Sequence, residues 1–184
     1  MKTISTAIAV MLLLCTSTLV FSQEKVKIKD GKMKTKGKQS LEMNVEPYTA
    51  HYSSNFSIGN SKYSSIILNL WKDYDNNDFG AHDYLADSVV ALLPDGTMLR
   101  GKQQVGEAIS KYRSTFSSVS STVDAWIPLH SVDRNADWVG IWGTETDHFA
   151  DGKTMVTNLQ ETWGFNKDGK IITLYQYAAK APQN

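Results

Sequence analysis

Glu161 is the acidic side chain that the sequence sets among aromatic neighbours. On a strand, its alternating mates are Leu159, Trp163 and Phe165. A shared apolar parity marks the inward face of a strand. A carboxyl on that face loses its water, its pKa rises, and it becomes a candidate general acid or hydrogen-bond donor to a ligand. On the other reading this parity faces outward, and Glu161 sits on a solvated or subunit face. His130 and His148 are candidate catalytic partners, because histidine is the usual base near neutral pH. His130 shares a strand with Trp126 at even spacing, and His148 sits near a hairpin end. Each reads equally as a satisfied structural residue. His82 with Asp83 reads as a surface or capping pair. No His-x-His or His-x-x-x-His spacing occurs, so a metal site would have to assemble from distant strands, and none is expected.

Five tryptophans stand in 184 residues, and each brings an N–H that needs a partner. Strand-borne tryptophans facing a cavity offer flat surfaces to a planar or lipophilic molecule. Trp142 and Trp163 are the expected cavity pair. Trp138 shares the parity of Trp142 and is expected at the rim or against a helix. Packing in the core or on a subunit face is the alternative for all of them. There is no Gly-x-Ser-x-Gly elbow, phosphate-binding glycine loop or dinucleotide fingerprint.

These side chains need elements to hold them. Ile66, Ile67, Leu70, Trp71 and Tyr74 recur at helical spacing, which predicts an amphipathic helix over 62–75. Asn76-Asn77 ends it, and residues 79–85 read as a second, shorter helix. A β-rich run over 88–93 closes at Pro94-Asp95-Gly96, and 97–100 is a brief return strand. Val105, Ile109, Tyr112 and Phe116 predict a helix over 102–116. Strands follow over 122–132, 138–149, 154–165 and 170–178, with Asp-Gly turns after the second and third. Residues 53–61 read as loop. Helices first and strands afterwards indicate an α+β domain with helices covering one face of a curved antiparallel sheet. A long twisted meander curls readily, and a helix closing it leaves a cone with a cavity for a small ligand.

Residues 60–180 resemble the SnoaL-like branch of the nuclear transport factor 2-like superfamily. Asp-Asn-Asn-Asp-Phe at 75–79 with Tyr-Leu-Ala-Asp-Ser-Val-Val at 84–90 carries the likeness. So do Leu-Pro-Asp-Gly-Thr at 93–97 before Gly101, and Phe-Asn-Lys-Asp-Gly-Lys-Ile at 165–171. The resemblance implies a cystatin-like cone that commonly forms homodimers through its outer sheet face. It implies isomerases, dehydratases, cyclases, ligand carriers or protein-binding modules, so it carries a fold better than a function. Steroid-isomerase relatives use a carboxylate base, a tyrosine and a protonated aspartate. The same alignment puts Leu93 at the base, Leu70 or Trp71 at the tyrosine, and Glu161 at the protonated acid. That catalytic set is not retained. Leu93 and Trp71 become cavity-lining expectations, and Gln176 points into the same cavity or lies on an exposed edge.

The remaining chain bears on location. Lys2, an apolar run over 8–14 and a second over 19–21 read as an export signal over 1–22, with Ser22 before the cleavage point. Thr16, Ser17 and Thr18 interrupt the run, whereas a membrane anchor needs about 18 or more apolar residues without a break. Cys15 is the single cysteine and lies inside this signal, so the mature chain has no disulfide. Lipid attachment at Cys15 is a minor alternative, because Leu14 stands where a small residue is wanted. Seven lysines crowd residues 25–38, in a segment over 23–58 that reads as a linker or small hairpin before a domain over 59–184. Residues 51–184 hold 11 basic and 15 acidic side chains, which gives no footprint for nucleic acid. The sequence therefore predicts an exported, periplasmic or secreted cone domain without an integral membrane span. It is expected to bind a small apolar or aromatic molecule and to need no cofactor. An enzyme using Glu161 as acid or base, and a protein-interaction module, remain as alternatives.

Overall fold

A computed structural model describes residues 47–181. The expected export signal, Cys15 and the Lys-rich stretch 25–38 lie outside the described residues. Among the described residues, two helices pack on one curved, unclosed sheet of seven strands, so the fold is α+β. No described helix is long and apolar enough to cross a membrane.

Helix α1 (Ser61–Asp75) starts where the Asn60 side chain accepts a hydrogen bond from the Lys62 N–H at 2.9 Å. That satisfies one of the free N–H groups of the first turn. Tyr63, Ile67, Leu70 and Trp71 form its buried stripe. Asn77 then takes a left-handed backbone (φ 59°), and the chain leaves the helix. The expected helix over 79–85 does not form. Residues 76–84 are turns and bends closed by short main-chain bonds such as Ala81 N–H to Asp78 O, and Leu85 already begins a strand. Gly80 inside the segment removes helix propensity, and pairing of Leu85 with Ile171 draws its end into the sheet.

Strands β2 (Leu85–Leu92) and β3 (Met98–Arg100) form a hairpin, and helix α2 (Lys102–Arg113) follows. The chain then runs as a meander of β4 (Ser118–Ser131), β5 (Ala136–His148), β6 (Thr154–Phe165) and β7 (Ile171–Lys180). The two Asp-Gly turns sit where expected, with Gly152 at φ 84° and Gly169 at φ 80°. These angles are open to glycine and costly for most other residues. Residues 53–61, expected as loop, contain β1 (Phe56–Ile58), which pairs with β4 at one edge of the sheet.

The strand order is β1-β4-β5-β6-β7-β2-β3. All neighbours are antiparallel except β2 and β7, which run parallel. The concave face packs on the helices around fully buried Ile67, Val89, Val139, Ile141 and Ile171. β4 carries a bulge between Val123 and Ala125, which reverses the parity of its side chains from there on.

Candidate functional site

A cavity of about 450 Å³ opens between the concave sheet face and the two helices. That volume is in the range of small-molecule sites. Leu70, Trp71 and Tyr74 come from α1, Ala108, Ile109 and Tyr112 from α2, and Leu93 and Pro94 from the β2–β3 turn. The sheet contributes Glu145 from β5, Leu159, Glu161 and Trp163 from β6, and Leu174 and Gln176 from β7.

Glu161 is buried at the centre of this wall. Its Oε2 accepts the indole N–H of Trp71 at 2.6 Å and that of Trp163 at 3.0 Å. Its Oε1 accepts from the Gln176 amide at 2.7 Å. Burial pushes the Glu161 carboxyl above the usual range, and the three donors only partly counter it. Among the described residues, no lysine, arginine or histidine lines the cavity to offset its charge. Local sequence explains how Trp71 reaches it. Gly143 faces inward beside Ile141 and Glu145, and the Trp71 ring lies where a side chain would stand: a Cβ there would be 2.9 Å from Trp71 Cζ3.

The structure thus brings together Glu161, Trp71, Trp163, Gln176 and Leu93, as their parity and the family alignment suggested. It does not bring in the other three. Trp142 points to the convex face, half exposed, over Gly140. Its inward placement is corrected because β5 buries the opposite parity, Val139, Ile141, Glu145 and Asp147. Trp138 shares the outer face, where it stacks on Tyr175 and its N–H reaches the Tyr52 hydroxyl at 3.0 Å. His130 sits at the opposite end of the β4–β5 pair, its Nδ1 2.9 Å from Asp137 Oδ1. His148 is exposed at the end of β5, with Nδ1 3.1 Å from Thr154 Oγ1. Neither histidine lines the cavity, so neither is in position to act on its contents. His82 pairs with Asp73 at 2.7 Å and stacks on Tyr84, while Asp83 binds Lys102 and Lys170.

Sequence reasoning missed a second acidic group. Glu145 and Asp147 project from the concave face of β5, Glu145 into the cavity and Asp147 fully buried beside it. Neither oxygen of Asp147 receives an N–H or hydroxyl among the described residues. Burial, with the neighbouring Asp147 charge adding to it, pushes Glu145 up to about 8, and burial pushes Asp147 up as well. Burial also pushes the hydroxyls of Tyr74 and Tyr112 up, with the two carboxyls adding to it. Arg113 is buried behind them and donates to the carbonyls of Tyr74 (2.8 Å), Asp75 (2.8 Å) and Phe116 (3.3 Å). It closes the free carbonyl end of α1, where a cation is favoured. The available signal was the odd-numbered series Val139, Ile141, Glu145 and Asp147, which competed with Trp138 and Trp142.

No protein-family model matches the chain, and no curated protein matches it in sequence. Many solved structures share its fold. A protein from Shewanella denitrificans assigned as a SnoaL-like polyketide cyclase superposes with a TM-score of 0.55 at 8% identity, over 65% of this chain and 92% of its own. A nuclear transport factor 2-like protein of unknown function from Burkholderia pseudomallei gives 0.53 at 17% identity, over 65% and 92%. TerC, co-crystallised with polyporic acid, gives 0.51 at 16% identity, over 64% and 91%. The chain therefore has the nuclear transport factor 2-like fold, which SnoaL-like proteins share. Identities this low establish the fold and leave the activity to the site.

Proposed function

We propose that this is a ligand-binding cone domain that holds a small apolar or aromatic molecule in the cavity beside Glu161. The observation that carries the reading is a 450 Å³ space walled by Trp71, Tyr74, Tyr112 and Trp163, with one fixed carboxyl inside it. Apolar walls supply affinity, and a few placed polar groups set orientation. Glu161 is oriented by three N–H donors, and it presents an oxygen or a proton to a polar group on the ligand. Export rests on Lys2 and the apolar runs of the first 22 residues. Homodimer formation through the outer sheet face is supported by exposed Trp142, Tyr175 and Tyr177.

A second reading, acid–base catalysis on an enolising or cyclising ligand, is favoured by the raised titration of Glu161. Glu161→Gln separates the two. The amide keeps the shape and can still accept from both indoles. In a binder, affinity for aromatic probes changes by less than about tenfold. Loss of turnover by about a hundredfold or more, with ligand still bound, moves the protein to the enzyme reading.

A further inference from the structure

The second acidic group says what kind of molecule the cavity takes. Among the described residues, the acidic and basic side chains that line it are all acidic: Asp95, Glu145 and Glu161. Asp95 is tied to its own turn through the Thr97 N–H, and Glu161 is held by three donors. Glu145 is different. It is nine-tenths buried, borders the cavity, and receives no N–H or hydroxyl from the described residues.

The groups packed around it come from every side. Tyr74 and Asp75 face it from α1, Tyr112 and Arg113 from α2, Glu161 from β6, and Asp147, with His148 beyond it, from β5. On β4, Ser121 spends its hydroxyl on Asp75 at 2.8 Å. Arg113 is the one buried cation among them. It is bound to main-chain carbonyls, and its charge offsets Asp147. Among the described residues Glu145 has no positive partner, and it stands in a wall of aromatic rings.

The geometry points to a ligand that carries a protonated amine on an apolar or aromatic body, with the ammonium against Glu145 and the body among Trp71, Tyr74, Tyr112 and Trp163. This rests on the small-molecule reading above and narrows its ligand class. Aromatic faces and a carboxylate together suit an organic cation. A metal ion would need more ligands, and among the described residues no group of three or more His, Cys, Asp or Glu is placed to hold one.

Near neutral pH, Glu145 carries its proton in the free protein. An arriving ammonium donates an N–H to the Glu145 carboxylate, and the displaced proton leaves to solvent. One proton is released for each amine bound. Amine affinity therefore rises with pH, by up to about tenfold per pH unit, until Glu145 ionises by itself. A neutral analogue shows no such dependence.

The test is calorimetric titration of the protein with three matched pairs: 1-naphthylmethylamine and 1-naphthylmethanol, tryptamine and tryptophol, 1-adamantylmethylamine and 1-adamantylmethanol. Expected at about pH 8 is a preference for amine over alcohol of about tenfold or more, shrinking toward about pH 6. Glu145→Gln should abolish the preference and keep alcohol affinity within about threefold. Alcohols binding as tightly as amines would overturn the cation inference and leave the ligand-binding reading standing. An unchanged amine preference in Glu145→Gln would also overturn it. No binding by either member of any pair below about 1 mM would overturn both readings. The pH dependence of the wild-type protein needs no variant, so the test holds even if the substitution impairs folding.

Discussion

Glu145→Gln should make the protein more stable at alkaline pH, although it removes a charged residue. In the unfolded chain Glu145 titrates near 4.5, and in the folded protein near 8. Between these values the unfolded state releases a proton that the folded state keeps, so stability falls as pH rises. Stability present below about pH 4.5 is lost progressively up to about pH 8, with a ceiling on the order of 5 kcal/mol. Glu145 borders a cavity that admits solvent, so about 2–4 kcal/mol is the expected loss. Glutamine has the same shape, carries an N–H that can face Asp147, and does not titrate. Burial also raises Asp147 and Glu161, and both carboxyls remain in the variant, so the substitution removes only the titration of Glu145 itself. Urea unfolding followed by tryptophan fluorescence from about pH 5 to about pH 8.5 measures it. Near-equal stability at the acid end and a variant advantage of about 2–4 kcal/mol at the alkaline end are expected. Parallel curves for the two proteins, or a variant weaker at every pH, would refute the reasoning that burial keeps Glu145 protonated.

Substitutions at two further positions probe the frame of the site. Gly143→Ala puts a Cβ 2.3 Å from the Thr122 carbonyl oxygen and 2.9 Å from the Trp71 ring, so about 2–3 kcal/mol of stability and a shift in tryptophan emission should be lost together. An alanine variant as stable as wild type would show that Trp71 does not lie over β5. Arg113→Ala leaves the carbonyls of Tyr74, Asp75 and Phe116 without their donor, and urea unfolding should register a loss of about 3 kcal/mol. Arg113→Lys should recover only part of it, because one ammonium does not span three carbonyls.

The meander was legible because its signals are local. Alternation sets β6 between Thr154 and Phe165, and Asp151-Gly152 and Asp168-Gly169 turn the chain at both ends. α1 was legible from its apolar stripe. β1 was not, because three exposed residues become a strand through pairing with β4 rather than through their own preference. Within the site, Glu161 was legible because Leu159, Trp163 and Phe165 all share its parity. β5 offered two apolar sets, and the bulkier one misled. Trp138 and Trp142 find room on the convex face over Gly164 and Gly140, which lets the slimmer Val139 and Ile141 take the core. Glu145 and Asp147 follow that slimmer set inward. The bulge after Val123 adds a change of parity that no spacing rule shows in advance.

The central claim is that a small molecule sits beside Glu161, against Trp71 and Trp163. The direct measurement is a nuclear magnetic resonance titration of the ¹⁵N-labelled protein with 1-naphthylmethylamine, following the indole N–H resonances of its five tryptophans. Trp71 and Trp163 donate to Glu161 in the cavity, whereas Trp138 and Trp142 lie on the convex face. Saturable shifts at Trp71 and Trp163, with Trp138 and Trp142 unmoved, are the predicted result. Shifts at Trp138 and Trp142 while Trp71 and Trp163 stay fixed would contradict the account.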